Sequence, residues 1–357
     1  MDIVEGKVTY ERLNRIGVGE GANSEVWEAR EINMNRVVAV KEISKADLSV
    51  RGVYDYFREA KAMFEARHPH VVPIYTATDQ KEFVALVMPL YPGKSLASRI
   101  TAGPLPLSRA LHIAQGTLEG LSHIHVKGFL HFDIKPSNVL FAPGELPMLA
   151  DFGQARMLDS FGVADAPDMY KHLPAPETLS TGRATVASDI FQMGLLLYRA
   201  INGNPFYQTV KAAQIAKHGL PECLKTARIV DSSTFLPHVP RRMRSVIQKA
   251  LSPLPRDRYS TAPELADALA LVAPVRDWVV KIDADRIEWR GTRNGRADVL
   301  VSREQNAARL DRWDVRSHTA GAGGARALRK ADFWAAGLTP NQANQHLQKV
   351  FRALERE

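Results

Sequence analysis

The sequence predicts an α+β chain of two unequal lobes with a small α+β extension at its C-terminal end, and three features support that reading. From Tyr10 to about Met88, short apolar alternations (EVWEAR, RVVAVKEI, FVALVM) bracket one stretch of helical period, YDYFREAKAMFEAR. Beyond the extended segment PLYPGKSL the period lengthens into LSRALHIAQGTLEGLSHIHVKG and ASDIFQMGLLLYRAINGN, separated by loops rich in Pro and Gly. After residue 273, four of the five tryptophans (Trp278, Trp289, Trp313 and Trp334) crowd into the last quarter of the chain, a density that disordered tails lack.

The first feature implies an antiparallel sheet plus one helix. In that helix Tyr56, Phe57, Ala60, Met63 and Phe64 share a face, Arg58, Lys61 and Arg67 lie largely elsewhere, and Pro69 of HPH ends the run. The second implies a mostly helical lobe. The division is placed at residues 1–88 for the first lobe, 89–95 for the hinge, 96–273 for the second lobe and 274–357 for a C-terminal unit of unknown function. Within that unit WVVKIDADRIEWRG reads as a hairpin turning near Asp283 to Asp285, and ADVLVSRE as a further strand. TAGAGGARA, at residues 319 to 327, reads as a flexible loop. A last helix is expected to start at Thr339, because Thr339, Pro340 and Gln342 supply an N-cap, a proline at the first helical position and a capping-box partner. Its apolar stripe, Leu347, Val350, Phe351 and Leu354, is expected to dock on its own domain.

Composition bounds the function classes. With 357 residues, 45% hydrophobic and 24% charged, the chain has ample apolar surface for globular cores. A single cysteine, Cys223, makes no internal disulfide, and MDIVEGKVTYERL has no signal-peptide apolar core, so a cytoplasmic, reducing setting is expected. The longest apolar runs, such as MGLLLYRAI, are too short to cross a bilayer, and no membrane partner is expected. The net charge of +8 is scattered, without zinc-finger or RNP-type motifs, and does not point to nucleic acid. Arg286, Arg290, Arg293 and Arg296 read as a solvated strand face in preference to a basic edge for an acidic target.

The chemistry-bearing residues fall in order. Gly19, Gly21, Ser24 and Val26 lie in GEGANSEV between two predicted strands, where glycines let backbone NH groups approach phosphates; alone, such a cluster is usually only a turn. Lys41 of VAVK follows Val26 by fifteen residues on the next strand. There its ammonium can reach phosphates, and Glu59 in FREA is a natural carboxylate to hold it. His131-Phe132-Asp133-Ile-Lys135-Pro-Ser-Asn138 is followed, eighteen residues after Asp133, by Asp151-Phe152-Gly153. An aspartate beside a lysine, with an asparagine five residues on, suits a loop that orients a hydroxyl and screens a transferring phosphoryl. Mg²⁺ prefers oxygen ligands and takes few protein groups, so Asn138 and Asp151 suffice in kind and number.

This ordered set, closed by Ala175-Pro176-Glu177, resembles the eukaryotic-type (Hanks-type) serine/threonine protein kinase family over roughly Tyr10 to Ala273, and implies the bilobal protein-kinase-like fold. The resemblance implies that Gly19 and Gly21 cover ATP, Lys41 paired to Glu59 clamps its phosphates, Asp133 takes or orients the proton of a protein substrate's hydroxyl, Lys135 neutralises charge on the phosphoryl group, and Asn138 and Asp151 bind Mg²⁺. It also implies that Met88 backs the adenine pocket, Pro89 and Tyr91 offer backbone to the base, and Val26, Ala39 and Leu140 sandwich the ring. Met63, Ile74, His131 and Phe152 fall where a hydrophobic column couples the lobes, with packing the favoured role of His131. Glu177 has a candidate buried partner in Arg258, and Asp189 in SDIFQMG would brace the catalytic loop. Lys135 in DIKPSN resembles the serine/threonine class.

Three departures stand out. Ser24 replaces the third glycine of the loop, and Phe132 replaces the arginine that pairs with an activation-segment phosphate, so activation by a phosphate at Ser160 or Tyr170 is not expected. Met169 and Tyr170 occupy the place of a Gly-Thr pair. That last departure keeps open an alternative, an ATP-binding pseudokinase or regulatory scaffold acting through a partner of its C-terminal domain. A nucleic-acid-linked regulator is a third, weaker reading, expected to bind with steep salt dependence.

Overall fold

The computed structural model describes residues 8–16, 24–48, 67–167, 173–293, 296–320, 326–327 and 333–356. The expected helix around Glu59 and Met63, the glycines 19 and 21, and Met169 and Tyr170 lie outside the described residues.

Five antiparallel strands form the first lobe: β1 (Tyr10–Ile16), β2 (Ser24–Glu31), β3 (Arg36–Ser44), β4 (Thr76–Asp79) and β5 (Phe83–Pro89), in the order β1-β2-β3-β5-β4. Strand period places alternate residues of β3 on opposite faces. Ala29, Val38, Val40, Ala85 and Val87 pack into one small core, while Ala39 and Lys41 share the other face. In register, Val26 pairs with Lys41 and Ala39 with Met88.

The second lobe is helical, as its apolar period requires: α1 (Leu96–Arg99), α2 (Leu107–Val126), α3 (Pro176–Thr181), α4 (Val186–Asn202), α5 (Asn204–His218), α6 (Leu220–Lys225), α7 (Arg241–Ala250) and α8 (Ala262–Ala270). Short strand pairs frame its upper surface: β6 (Phe129–Leu130) with β9 (Arg156–Met157), β7 (Val139–Ala142) with β8 (Leu146–Leu149), and β10 (Ala164–Asp165) with β11 (Arg183–Ala184). Helix α4 starts in a Thr185/Ser188 capping box and is buried from Ala187 to Tyr198, so it is apolar on every side except where it carries Asp189 and Gln192. Helix α2 presents bare backbone at Gly116 and Gly120. A β-carbon at Gly116 would come within 2.6 Å of the His70 ring, and one at Gly120 within 2.5 Å of its carbonyl oxygen. Those two glycines therefore seat the loop at 67–72 against the helix.

The remaining strands, β12 (Asp277–Ile282), β13 (Arg286–Thr292), β14 (Asp298–Asn306), β15 (Arg309–Ala320), β16 (Arg326–Ala327) and β17 (Ala335–Leu338), make a second antiparallel sheet, crossed by α9 (Pro340–Leu354). The hairpin turns at 283–285, and α9 begins in the Thr339/Gln342 capping box. Both ends of the stretch at 319–327 are strand, in place of the expected loop, because Thr319 and His318 pair with Arg326 and Ala327; residues 321–325 lie outside the described residues. Leu347, Val350, Phe351 and Leu354 are buried with Trp278, Trp289, Val299, Val301 and Val315 in a core separate from that of the helical lobe. Phe351 meets both indoles edge-on, at 4.9 Å from Trp278 and 5.5 Å from Trp289. Arg286 and Arg290 are offset by Glu288, Glu304 and Asp298, as a solvated strand face requires. Among the described residues no helix is long and apolar enough to cross a membrane.

The unit docks on the helical lobe through polar contacts, one exposed and one buried. Asp277 accepts from the Ser108 hydroxyl and backbone NH at the start of α2. The Trp289 indole NH donates to His238 Nδ1 at 3.1 Å, which requires a neutral imidazole. Burial, aided by Arg244, lowers the pKa of His238 from 6.5 to about 3. Between those values the unfolded chain binds a proton that the folded chain refuses, so stability is full above about pH 6.5 and falls as pH drops toward 3, by at most about 1.4 kcal/mol per pH unit. Urea midpoints read by tryptophan fluorescence are expected to fall between pH 7 and pH 5, and to fall less in His238→Leu; equal slopes in the two proteins would contradict this linkage.

Candidate active site

The site lies where β3 and β5 of the first lobe face the loops that follow β6 and β8 of the second. The lobes are stitched beside it by backbone: Leu149 NH donates to His70 O at 2.8 Å and Val72 NH to Leu149 O at 2.9 Å. Two residues past Leu149 comes Asp151, with φ at +63°, a left-handed conformation that a residue with a Cβ adopts only at a cost. Its carboxylate forms an ion pair with Lys41 Nζ and accepts from Gly153 NH at 3.2 Å. Desolvation pushes this carboxyl up and Asp133 adds to that, but the Lys41 ammonium and the Gly153 amide more than offset both. Asp151 therefore titrates below the ordinary carboxylate range.

The loop from His131 to Asn138 is almost wholly buried and its polar groups satisfy one another. Lys135 Nζ lies 2.8 Å from Asp133 Oδ2. The Asn138 amide donates to the Asp133 carbonyl at 2.7 Å and to its carboxylate at 3.0 Å, which leaves the Asn138 carbonyl oxygen with capacity for a cation. With one carboxylate and one amide oxygen, Asp151 and Asn138 suit a hard cation that completes its shell from water and phosphate oxygens. His131 Nε2 donates to Ala150 O at 3.1 Å, and its Nδ1 accepts from Asp133 NH at 3.2 Å. Both ring nitrogens of His131 are thus taken up by backbone groups. Burial holds the ring neutral below its usual range, and Phe152 packs on it at 4.8 Å.

Helix α4 holds this loop from beneath. Asp189 accepts from the backbone NH groups of His131 (2.8 Å) and Phe132 (2.9 Å), and His125 Nε2 lies 2.8 Å from it. Burial would raise the Asp189 carboxyl, yet His125, His131 and these hydrogen bonds hold it below the usual range. Gln192, one turn on, donates to Phe132 O at 2.7 Å and accepts from Ile134 NH at 2.9 Å. Phe132 has a φ of +65° and turns its ring into a small apolar core with Leu130, Ala164 and Ala184. The side chain that replaces arginine is thus an apolar plug beneath the β10–β11 pair. Glu177 meets Arg258 in two 2.8 Å bonds.

Of the expected nucleotide-side residues, Met88, Tyr91 and Leu140 pack around Val72, Met148 and Ala150 below β5. Ala39 pairs across to Met88, Pro89 to Val38, and Val26 to Lys41, while Ser24 opens β2 opposite Ile43. Ile74 packs with Phe152 against the main core. Gly19, Gly21 and Glu59 lie outside the described residues, so among those described the carboxylate at Lys41 is Asp151. His125 and Gln192 escaped the sequence reading. Nothing local marks either one, since each matters only through a contact some sixty residues away in the chain.

The two-lobed fold is the one the motif order implied; within it a strand lysine of one lobe pairs with a loop aspartate of the other, beside a buried Asp-Lys-Asn loop. Comparison with known proteins agrees: residues 10–269 match the model of the protein kinase domain. The chain is 33% identical over 263 residues to the serine/threonine-protein kinase pkn2 of Myxococcus xanthus, covering 71% of this chain and 31% of that protein. It is 30% identical over 283 residues to PrkC of Bacillus subtilis, covering 78% and 41%. It is 31% identical over 262 residues to PknE of Mycobacterium tuberculosis, covering 72% and 45%. The chain belongs to the protein kinase family, and it spans less than half the length of these relatives.

Proposed function

We propose that this chain transfers the γ-phosphoryl group of ATP to serine or threonine hydroxyls of protein substrates, with residues 1–273 as the catalytic unit. The observation that carries the reading is the meeting of Lys41 and Asp151 across the two lobes, beside a buried Asp133 that touches both Lys135 and Asn138. In this reading Lys41 clamps the ATP phosphates with Glu59 as its partner in the loaded enzyme, and Gly19, Gly21, Ser24 and the backbone of Pro89 and Tyr91 hold the nucleotide. Val26, Ala39, Met88 and Leu140 enclose the base.

Asp133 accepts the hydroxyl proton as the hydroxyl oxygen bonds to γ-phosphorus and the bond to the β-bridging oxygen breaks; ADP leaves with that electron pair. Lys135 balances charge on the phosphoryl oxygens. Mg²⁺, which Asn138 and Asp151 would hold, supplies charge neutralisation at the phosphates. Positioning and electrostatics are nearly all this reaction asks of a protein. The C-terminal unit, seated on the catalytic unit through Trp289 and Asp277, is where a regulatory partner would act.

The test is incubation with γ-labelled ATP and Mg²⁺ on a generic protein substrate and on the chain itself, beside Lys41→Ala. Label on serine or threonine that disappears in the variant is expected. ATP binding without any label in the wild type would instead favour the scaffold.

A further inference from the structure

Asp133 is flanked by two backbone groups that a single side chain holds. Gln192 is 5% exposed, and its amide spends one donor on the carbonyl before Asp133 and its acceptor on the NH after it. The peptide planes on both sides of Asp133 are thereby fixed from one point on α4. Asp189, one turn earlier on the same helix face, already holds the NH groups of His131 and Phe132. One group in each of four consecutive peptide planes is thus held by two side chains of one buried helix.

The position that needs this support is Phe132. At φ +65° a bulky side chain is strained; the peptide before it is held by Asp189, and the peptide after it, between Phe132 and Asp133, is held by Gln192. Rotation of that second peptide would swing the Asp133 carboxylate away from Lys135 and Asn138. The hydrogen bond from Gln192 to the Phe132 carbonyl opposes it directly. Phe132 itself offers no charged tether, because its ring is committed to the apolar core with Leu130, Ala164 and Ala184. An amide is the one uncharged group of that length that presents a donor and an acceptor side by side; a carboxylate would face the Phe132 carbonyl with a second acceptor, and a thioether would leave both backbone groups unmet.

We propose that Gln192 is a positioning residue for phosphoryl transfer: its amide sets the aim of the Asp133 carboxylate at the substrate hydroxyl. The assignment rests on the kinase reading above. It acts on the chemical step and leaves the nucleotide side untouched, since neither of its hydrogen bonds reaches Lys41, β5 or the hinge.

The experiment uses the full chain with ATP, Mg²⁺ and a protein substrate that the wild type phosphorylates, and compares Gln192→Glu and Gln192→Met. In Gln192→Met, kcat is expected to fall by about 10- to 100-fold, the scale of a misplaced catalytic group, with KM for ATP and directly measured ATP affinity within about twofold of wild type. In Gln192→Glu the introduced carboxyl repels the Phe132 carbonyl when ionised but can donate to it when protonated. Turnover relative to wild type is therefore expected to rise as pH falls from about 8.5 to 6, because burial raises a carboxyl into that range. A role in stability alone would move the thermal midpoint and leave kcat per folded molecule unchanged. That result, or a rise in KM for ATP that matches the fall in kcat, overturns the assignment. A wild type that binds ATP and transfers nothing overturns the kinase reading, and this assignment with it.

Discussion

Asp133→Asn is expected to lower kcat about a thousandfold or more while ATP still binds, which places the loss in the transfer step. The carboxylate is 5% exposed and shares its charge with Lys135, 2.8 Å away. Asparagine matches its shape but takes no proton, and it leaves the Lys135 ammonium without its counter-charge. The Asn138 amide, which now donates to this carboxylate, would face a neutral partner. Single-turnover phosphorylation of a protein substrate, read beside equilibrium binding of ATP, separates the two steps. Turnover within tenfold of wild type would assign the proton to another group and remove Asp133 from the mechanism.

The second large effect concerns folding. Glu177→Ala is expected to cost about 3–5 kcal/mol, the cost of leaving one member of a buried ion pair uncompensated. The Arg258 side chain is fully buried, bonded to both Glu177 oxygens and to the carbonyls of Ser252, Ala187 and Pro253, and stacked 4.8 Å from Phe191. With its carboxylate gone, the guanidinium has only neutral acceptors. Replacing both partners, as in Glu177→Ala with Arg258→Met, is expected to recover part of the loss, because the buried charge goes too. Thermal unfolding of the two single variants and the double closes the cycle. A loss below about 1 kcal/mol in Glu177→Ala would show that the neutral acceptors suffice.

The sequence made most of this site legible because its determinants are local. Period-two alternation put Ala39 and Lys41 on one face of a strand, and the short spacing within His131–Asn138 forced Asp133, Lys135 and Asn138 onto one loop. The Thr339 cap and the stripe on α9 were legible for the same reason. Other features depend on which surfaces meet in space. No pattern along the chain announces that Gln192 reaches Phe132 and Ile134, that His125 backs Asp189, or that Trp289 donates to His238. Along the chain Phe132 reads only as the absence of a cation. What the chain alone withheld is its positive role as a plug under Ala164 and Ala184.

The seat of His70 on Gly116 and Gly120 bears on how the cleft can open. Because that loop is fastened to the helix by close contact and to Leu149 by main-chain bonds, it ties the upper half to the lower, as the connection after Pro89 does at another point. With two such ties, an opening of the cleft is expected to run as a swing about the line between them. Asp151 follows the first of these ties by only two residues, so the aspartate that meets Lys41 is anchored close to where the halves are joined.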